Sequence, residues 1–248
     1  MSLRPDAAEF VLAFADDEHL IGQRHTEWIG ICPFLEEDLA FTSLAQDELG
    51  HAAALYALID PAVDHLAFRR HPDDYRSAHL VELPGTDWAR ALVRQWLYDL
   101  AERHRWEAIV AAAHPDLLPI ARRALAEERY HRRHGDVMMR RLLDAGGEAR
   151  RRLVTALEDL VGVAVGLFEP VSGEAGAIEA GVVATAGPDL LDPWWCDVDE
   201  LLTATGVSIE RPRLDPDTQR GRTVRTPHFA ALHADINTVF DLDPDAVW

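Results

Sequence analysis

Two stretches of the chain pair a glutamate with a histidine three residues on: Glu48-Leu49-Gly50-His51 and Glu128-Arg129-Tyr130-His131. On a helix that spacing places both side chains on one face, where both can reach one metal ion. Chance supplies about one Glu-x-x-His pair in a chain of this composition, so the pairs say little until their positions are compared. The turn before the first pair is centred near Cys32. Glu48 lies 16 residues after it and Glu18 lies 14 before it. At a rise of about 1.5 Å per residue, the two differ in depth by about 3 Å in an antiparallel helix pair. A second turn near His114 repeats the pattern, with Glu128 14 residues after it and Glu102 12 before. Each half thus offers a lone Glu and a Glu-x-x-His at matching depth. Four carboxylates and two imidazoles projecting from four helices are the ligand set of di-iron and di-manganese carboxylate bundles. Such hard oxygen donors suit two iron ions, with manganese as the alternative.

The residue before each motif Glu is also acidic, Asp47 in one half and Glu127 in the other. Carboxylates so placed can accept the free ring N–H of a metal-bound His and fix its tautomer. The plainer reading makes them charges on a solvated helix face. Glu127 is also an alternative ligand to Glu128, since both can reach His131. His25, His104 and His134 sit mid-helix and are left outside the site. Arg150, Arg151 and Arg152, or Arg69 and Arg70, have the chemistry to grip a phosphate, although solvated faces are the commoner explanation for such runs. Trp194-Trp195 reads as packing. No stretch resembles a nucleophile elbow or a phosphate-binding glycine loop.

Helical periodicity prevails along the chain, and no run alternates apolar with polar residues as a strand would. Helix one is expected over about 6–30. Helix two is expected from Pro33, a residue tolerated at the first helical position, with Glu36, Glu37 and Asp38 complementing the dipole, as far as Ile59. A long connection follows from Asp60 to Gly85. Helix three should run from an N-cap at Thr86 to about Ala113. Helix four should run from His114-Pro115-Asp116 to Gly146-Gly147. Two short turns and one long crossover are what a ferritin-like four-helix bundle requires. The expectation is an all-α chain and a single domain over 1–248. Its core bundle spans about 6–145, and accessory helices lie at about 148–169, 174–184, 188–204 and 226–240. Arg211 to Pro227 reads as a surface loop.

Basic residues number 24 and acidic residues 43, for a net charge of −19. That field repels phosphate backbones and excludes general nucleic-acid binding. Cys32 and Cys196 form no CxxC or disulfide framework, as for thiols in a reduced compartment. The N-terminus carries no apolar signal core. The strongly apolar stretch from Val161 to Phe168 is far short of the roughly 20 residues that span a membrane. A cytoplasmic protein without membrane association is expected.

A set of short stretches adds a resemblance: Gly22-Gln23-Arg24 with Glu27-Trp28, Glu37-Asp38-Leu39-Ala40, and Leu66-Ala67-Phe68-Arg69. Leu80-Val81-Glu82-Leu83-Pro84 follows with Arg94-Gln95, then Arg129-Tyr130-His131, Leu167-Phe168, His228-Phe229 and the terminal Trp248. In that order and spacing the chain resembles the PaaA/PaaC family of phenylacetyl-CoA epoxidase (phenylacetate-CoA oxygenase) subunits, most of all the PaaC type. The resemblance implies a component of a bacterial multicomponent monooxygenase. In such a complex a di-iron subunit epoxidises the aromatic ring of an acyl-CoA substrate, and a reductase component supplies electrons. It implies partnership with a homologous catalytic or structural subunit, in a homo- or hetero-oligomer. Under it, Glu18 and Glu102 would be terminal ligands, Glu48 and Glu128 would bridge, and His51 and His131 would each bind one iron. PaaC-type subunits are described as structural, with degraded metal ligands, whereas here all six positions keep acids or imidazoles. Two readings therefore stand: a metal-competent oxygenase component, or a structural subunit that retains old ligands. An iron-storage or peroxide-scavenging ferritin relative is a third, disfavoured by the long crossover and the accessory helices.

Overall fold

The structure, a computed structural model, describes residues 3–214 and 222–243. Among these, the chain forms α-helices, short 3-10 turns and connecting loops, and the architecture is a ferritin-like bundle. Four long helices build its core: α1 (Pro5–Thr26), α2 (Leu35–Ala57), α5 (Trp88–Ala112) and α6 (Leu118–Ala145). α1 packs along α2 and α5 packs along α6, while α2 meets α6 across the bundle. The crossover between the pairs carries α3 (Val63–Phe68), a 3-10 turn at Pro72–Asp74 and α4 (His79–Glu82). α7 (Gly147–Ala164) covers α5 and α6, α8 (Glu174–Glu179) lies on α1, and α9 (Leu191–Ala204) lies on α5. α10 (Phe229–Leu242) returns to α3. No described helix is long and apolar enough to cross a membrane.

Local chemistry sets the helix ends. Pro5 opens α1, where its missing N–H costs nothing. Asp87, one residue beyond the expected Thr86, caps α5 by accepting from the Arg90 backbone N–H at 2.9 Å. α5 stops because Ala113 turns left-handed, with φ of 57°. α6 begins at Leu118 rather than at His114, and it ends at Gly146, whose φ of 70° suits glycine alone. α1 ends at Thr26, four residues earlier than expected, and a turn carries the chain to Leu35. α8 ends at Glu179, short of the expected 184, where Gly181 takes a φ of 70°. The expected helix at 148–169 tightens to a 3-10 turn from Val165 to Phe168, and another such turn precedes α9. Residues 215–221 of the expected surface loop and Trp248 lie outside the described residues, and the described parts of that loop carry no helix.

α1 contains four consecutive buried polar residues, Asp16, Asp17, Glu18 and His19. Successive residues on a helix point about 100° apart, so the four radiate into different neighbours. Asp16 accepts from Tyr56 Oη at 2.6 Å, from the Arg76 backbone N–H at 2.6 Å and from Arg70. Asp17 accepts from the Ala78 backbone N–H at 2.7 Å, from Arg105 at 2.8 Å and from Arg222 at 3.0 Å. Glu82 completes the set, accepting from Ser77 at 3.0 Å, Arg225 at 2.6 Å and the Thr226 N–H at 2.7 Å. These acids pin the crossover and the segment from Arg222 to Thr226 against the bundle. Arg70 is thereby committed to Asp16, Arg69 lies over the Phe240 ring at 4.9 Å, and Arg151 and Arg152 pair with Glu148. Arg150 donates to the carbonyls of Leu143 at 3.1 Å, Thr205 at 2.9 Å and Gly206 at 2.8 Å. Trp194 packs as expected, buried with its indole N–H on the Leu97 carbonyl at 3.1 Å.

Gly22 fixes how closely α1 and α2 approach. A Cβ there would lie 2.9 Å from Leu49 Cγ and 3.1 Å from Glu48 Cβ, one turn from Glu18. Gly22→Val is expected to cost about 1–3 kcal/mol in denaturant unfolding, the usual range for an overpacked contact. Gly50, exposed on the same helix pair with nothing within 4 Å, is the control. Gly50→Ala should gain about 0.5–1 kcal/mol from helix propensity.

Candidate metal centre

The level at which Gly22 brings α1 against α2 is also where the buried acids and imidazoles of all four long helices meet. Glu18, Glu48, Glu102 and His131 have no exposed surface, Glu128 has 1% and His51 has 2%. His51 Nδ1 lies 3.3 Å from Glu18 Oε2, 3.4 Å from Glu48 Oε2 and 3.4 Å from Glu102 Oε1. His131 Nδ1 lies 2.8 Å from Glu128 Oε1 and 3.5 Å from Glu48 Oε1. Glu48 therefore turns one oxygen toward each imidazole. Two groups of potential ligands, each with its donor atoms within 4.8 Å of one another, share Glu48 and Glu102. The first adds Glu18 and His51, and the second adds His131 and Asp99.

The six residues singled out by spacing thus lie together. Sharing between the two groups falls to Glu48 and Glu102, whereas the expected assignment made Glu128 a bridge. Glu127 is not in the cluster: it is partly exposed and accepts from Arg123 at 2.9 Å. His51 Nε2 meets Glu127 Oε2 at 2.9 Å, and His131 Nε2 meets Asp47 Oδ2 at 3.2 Å. Each outer acid thus serves the imidazole of the other Glu-x-x-His helix. With an outer acid on its Nε2, each ring turns Nδ1 inward toward the buried carboxylates, the nitrogen that would give up its proton to bind a metal ion. His25, His104 and His134 lie elsewhere. His25 packs on Phe41, His104 contacts Asp197 at 2.7 Å, and His134 contacts Glu37 at 3.0 Å.

Three further α5 residues belong to the centre. Asp99 is fully buried, and Gln95 holds one of its oxygens at 3.1 Å. Tyr98 donates to Glu18 Oε1 at 3.0 Å, and the Trp106 indole N–H donates to Glu102 Oε1 at 2.6 Å. Asp99 stands three residues before Glu102, so the same face-sharing spacing marks it in the sequence. Tyr98 and Trp106 carry no comparable signal.

Burial dominates the electrostatics. It raises the Glu48 carboxyl well above its usual range, and repulsion from Glu102 and Glu18 adds to it. Burial and then Glu18 push Glu102 up to about 7. Burial and then Glu102 push Glu128 up to about 7. Asp99 rises for the same reason, with Glu128 as the next cause. Burial disfavours charge on His51 as well, but the carboxylates of Glu102, Glu18 and Glu48 beside its Nδ1 outweigh burial and hold the metal-free ring cationic. His131 behaves alike, with Glu128 and Asp47 overcoming its burial.

The hydrogen bonds of the donor set show whether it suits a cation. Both oxygens of Glu48 and of Glu128, Glu102 Oε2, Asp99 Oδ1 and His131 Nδ1 are buried without a hydrogen-bond partner among the described residues. Buried polar atoms are nearly always satisfied, so a converging group of oxygens without donors is out of the ordinary. Cations satisfy it, because carboxylate oxygens and a neutral imidazole need no proton to bind one. These buried carboxylates and imidazoles could hold a metal.

The family model described as "Phenylacetic acid catabolic protein" (PaaA/PaaC) matches residues 2–248. The chain belongs to this family. Among its relatives is the C subunit of 1,2-phenylacetyl-CoA epoxidase from Escherichia coli strain K12. This PaaA/PaaC member is 24% identical to it over 249 residues, which cover 96% of this chain and 98% of that one.

Linkage follows from the raised carboxyls. Glu102 and Glu128 hold their protons to about 7 in the fold, against 4.5 in the open chain. Between those values the folded state binds more protons, so stability falls as pH rises and then levels off. The two imidazoles act in the same sense, since their raised affinity contributes most below their ordinary pKa of 6.5. For metal-stripped protein, the unfolding midpoint should fall between about pH 5 and pH 7.5 more steeply than in Glu102→Gln/Glu128→Gln, as read by calorimetry. An added divalent cation should restore stability most at the higher pH, where protons no longer compete for the oxygens.

Proposed function

We propose that this PaaA/PaaC chain is a metal-binding component of an aromatic acyl-CoA epoxidase acting in phenylacetate catabolism. The observation that carries this reading is the convergence of buried carboxylates on two inward Nδ1 atoms, with both oxygens of Glu48 and Glu128 and one each of Glu102 and Asp99 lacking a hydrogen-bond donor among the described residues. Four acids with two neutral imidazoles bring four negative charges, which two ferrous ions balance. Glu18 and His51 would hold one ion and Glu128 and His131 the other, with Glu48 and Glu102 between them. Asp99 would adjoin the second ion, its carboxyl kept protonated by burial so that the four charges still balance. Two irons bound there would supply the reduction of dioxygen for insertion of an oxygen atom into the substrate ring, with electrons from a reductase.

The chain's own part is positioning. With metal bound, Glu127 and Asp47 would hold the His51 and His131 rings in the tautomer that presents Nδ1. Tyr98 and Trp106 orient Glu18 and Glu102. The fully buried Trp106, Phe14 and Tyr56 close the α1 side against water. We also read the chain as one domain, because a single apolar cluster runs from Ala7 to Leu232. A cytoplasmic setting suits the free Cys32 and Cys196.

One observation favours a second reading, an assembly subunit that scaffolds a catalytic homologue. The relative in Escherichia coli is one subunit of its enzyme. Here the two imidazoles, held cationic by the surrounding acids, would neutralise part of the cluster without metal. Anaerobic loading with ferrous iron, followed by elemental analysis, separates the two. About two irons per chain are expected, falling below one in Glu48→Ala/His51→Ala. Fewer than one iron in the unaltered chain would leave the scaffold reading alone standing.

A further inference from the structure

Between α5 and α6 a groove of about 680 Å³ opens to solvent, and Glu128 forms part of its wall. Arg103, Arg122, Arg129, Arg132 and Arg133 line it, in a chain whose net charge is −19. These five fall into two sets. Arg103 and Arg132 are partly buried and anchored by Asp197 on α9, Arg103 directly and Arg132 at 3.5 Å. The acids in the groove are likewise taken up. Glu107 pairs with Arg103 at 3.0 Å, and Asp136 accepts from Trp96 at 2.9 Å and pairs with Arg132 at 3.5 Å.

Arg122, Arg129 and Arg133 form the second set. They follow one another at seven and four residues along one face of α6, and all three are exposed. None makes an ion pair or hydrogen bond with another described side chain. Three free guanidinium groups beside two anchored ones, around a concavity, present many N–H donors to an anion with several oxygens. Leu125, Ala126 and Val137 add apolar side chains to the same groove. The volume lies in the range of small-molecule sites. A solvated helix face would need no concavity and no wall held by a third helix.

We propose that this groove docks the phosphate-bearing part of a thioester substrate. The arginines take its phosphate oxygens, and the side chains of Leu125, Ala126 and Val137 pack its uncharged portion. The inference rests on the oxygenase reading for its ligand, since that reading makes the substrate an acyl-CoA thioester. The anion site itself depends only on the arginines and the shape of the groove.

The test titrates the full chain with coenzyme A, and with pantetheine, which lacks the phosphates, by calorimetry. Coenzyme A should bind and pantetheine should bind at least about tenfold more weakly, with the difference shrinking as salt is raised. Arg122→Gln/Arg129→Gln/Arg133→Gln should weaken coenzyme A by at least about tenfold while the unfolding midpoint and iron uptake stay unchanged. Equal binding of coenzyme A by the triple variant, or equal binding of the two probes, overturns the proposal. Loss of binding to an acidic protein partner with coenzyme A affinity intact overturns it too, by making the face a protein interface. Iron uptake is read separately, so a chain that binds coenzyme A through these arginines yet takes up no iron keeps this site and loses the oxygenase reading.

Discussion

Five carboxyl groups in a space closed to water set the terms for the rest of this protein. Burying even one unpaired carboxylate is expensive, and clustering them adds mutual repulsion. The charge must be met by protons, by imidazolium or by metal, and each helix of the bundle is arranged around that need. Glu48 divides its two oxygens between His51 and His131. The outer acids Glu127 and Asp47 hold those rings from behind. The pairing crosses between α2 and α6, so the centre also ties the two halves of the bundle together.

The same economy of position appears in α1. Asp16, Asp17 and Glu18 are adjacent in sequence, yet each serves a different purpose because the helix turns them apart. Asp16 anchors the crossover, Asp17 joins α5 to Arg222, and Glu18 enters the centre. His19 shows that a buried imidazole near the centre is not enough. It packs edge-on against Tyr56 at 6.1 Å and Phe68 at 5.3 Å, and burial with Arg70 nearby lowers its pKa to about 3. Buried pairs such as Asp17 with Arg105 and Arg222 contribute little net stability over apolar packing, but losing one partner strands a charge in the core. They act as register pins for the long connection.

The arginine groove is the counterpart of the centre on the surface side of Glu128. A chain this acidic concentrates five arginines where α5 and α6 part, and uses Asp197 of α9 to hold two of them. The helices beyond the four-helix core thus reach the chemistry indirectly: α9 shapes the groove wall, and the segment after it reaches back to Asp17 and Glu82.

Several features were legible before any coordinates. Helical periodicity, two short turns and one long connection specify the bundle, because apolar stripes of that period can be buried only against one another. That Glu18, Glu48, His51, Glu102, Glu128 and His131 meet at one level was legible too, since counting outward from a turn converts spacing into depth at a fixed rise per residue. Helix ends were less so. The stretch from Glu27 to Phe34 is rich in apolar residues, yet Ile29, Ile31 and Phe34 are exposed in a turn. Which outer acid meets which imidazole is a relation between helices far apart in sequence, and no local spacing encodes it. The roles of Tyr98 and Trp106 were equally hidden, because a buried aromatic looks the same in sequence whether its polar atom meets a ligand or a backbone carbonyl. Rotation of each helix about its axis settles those contacts, and that rotation follows from packing all four helices at once.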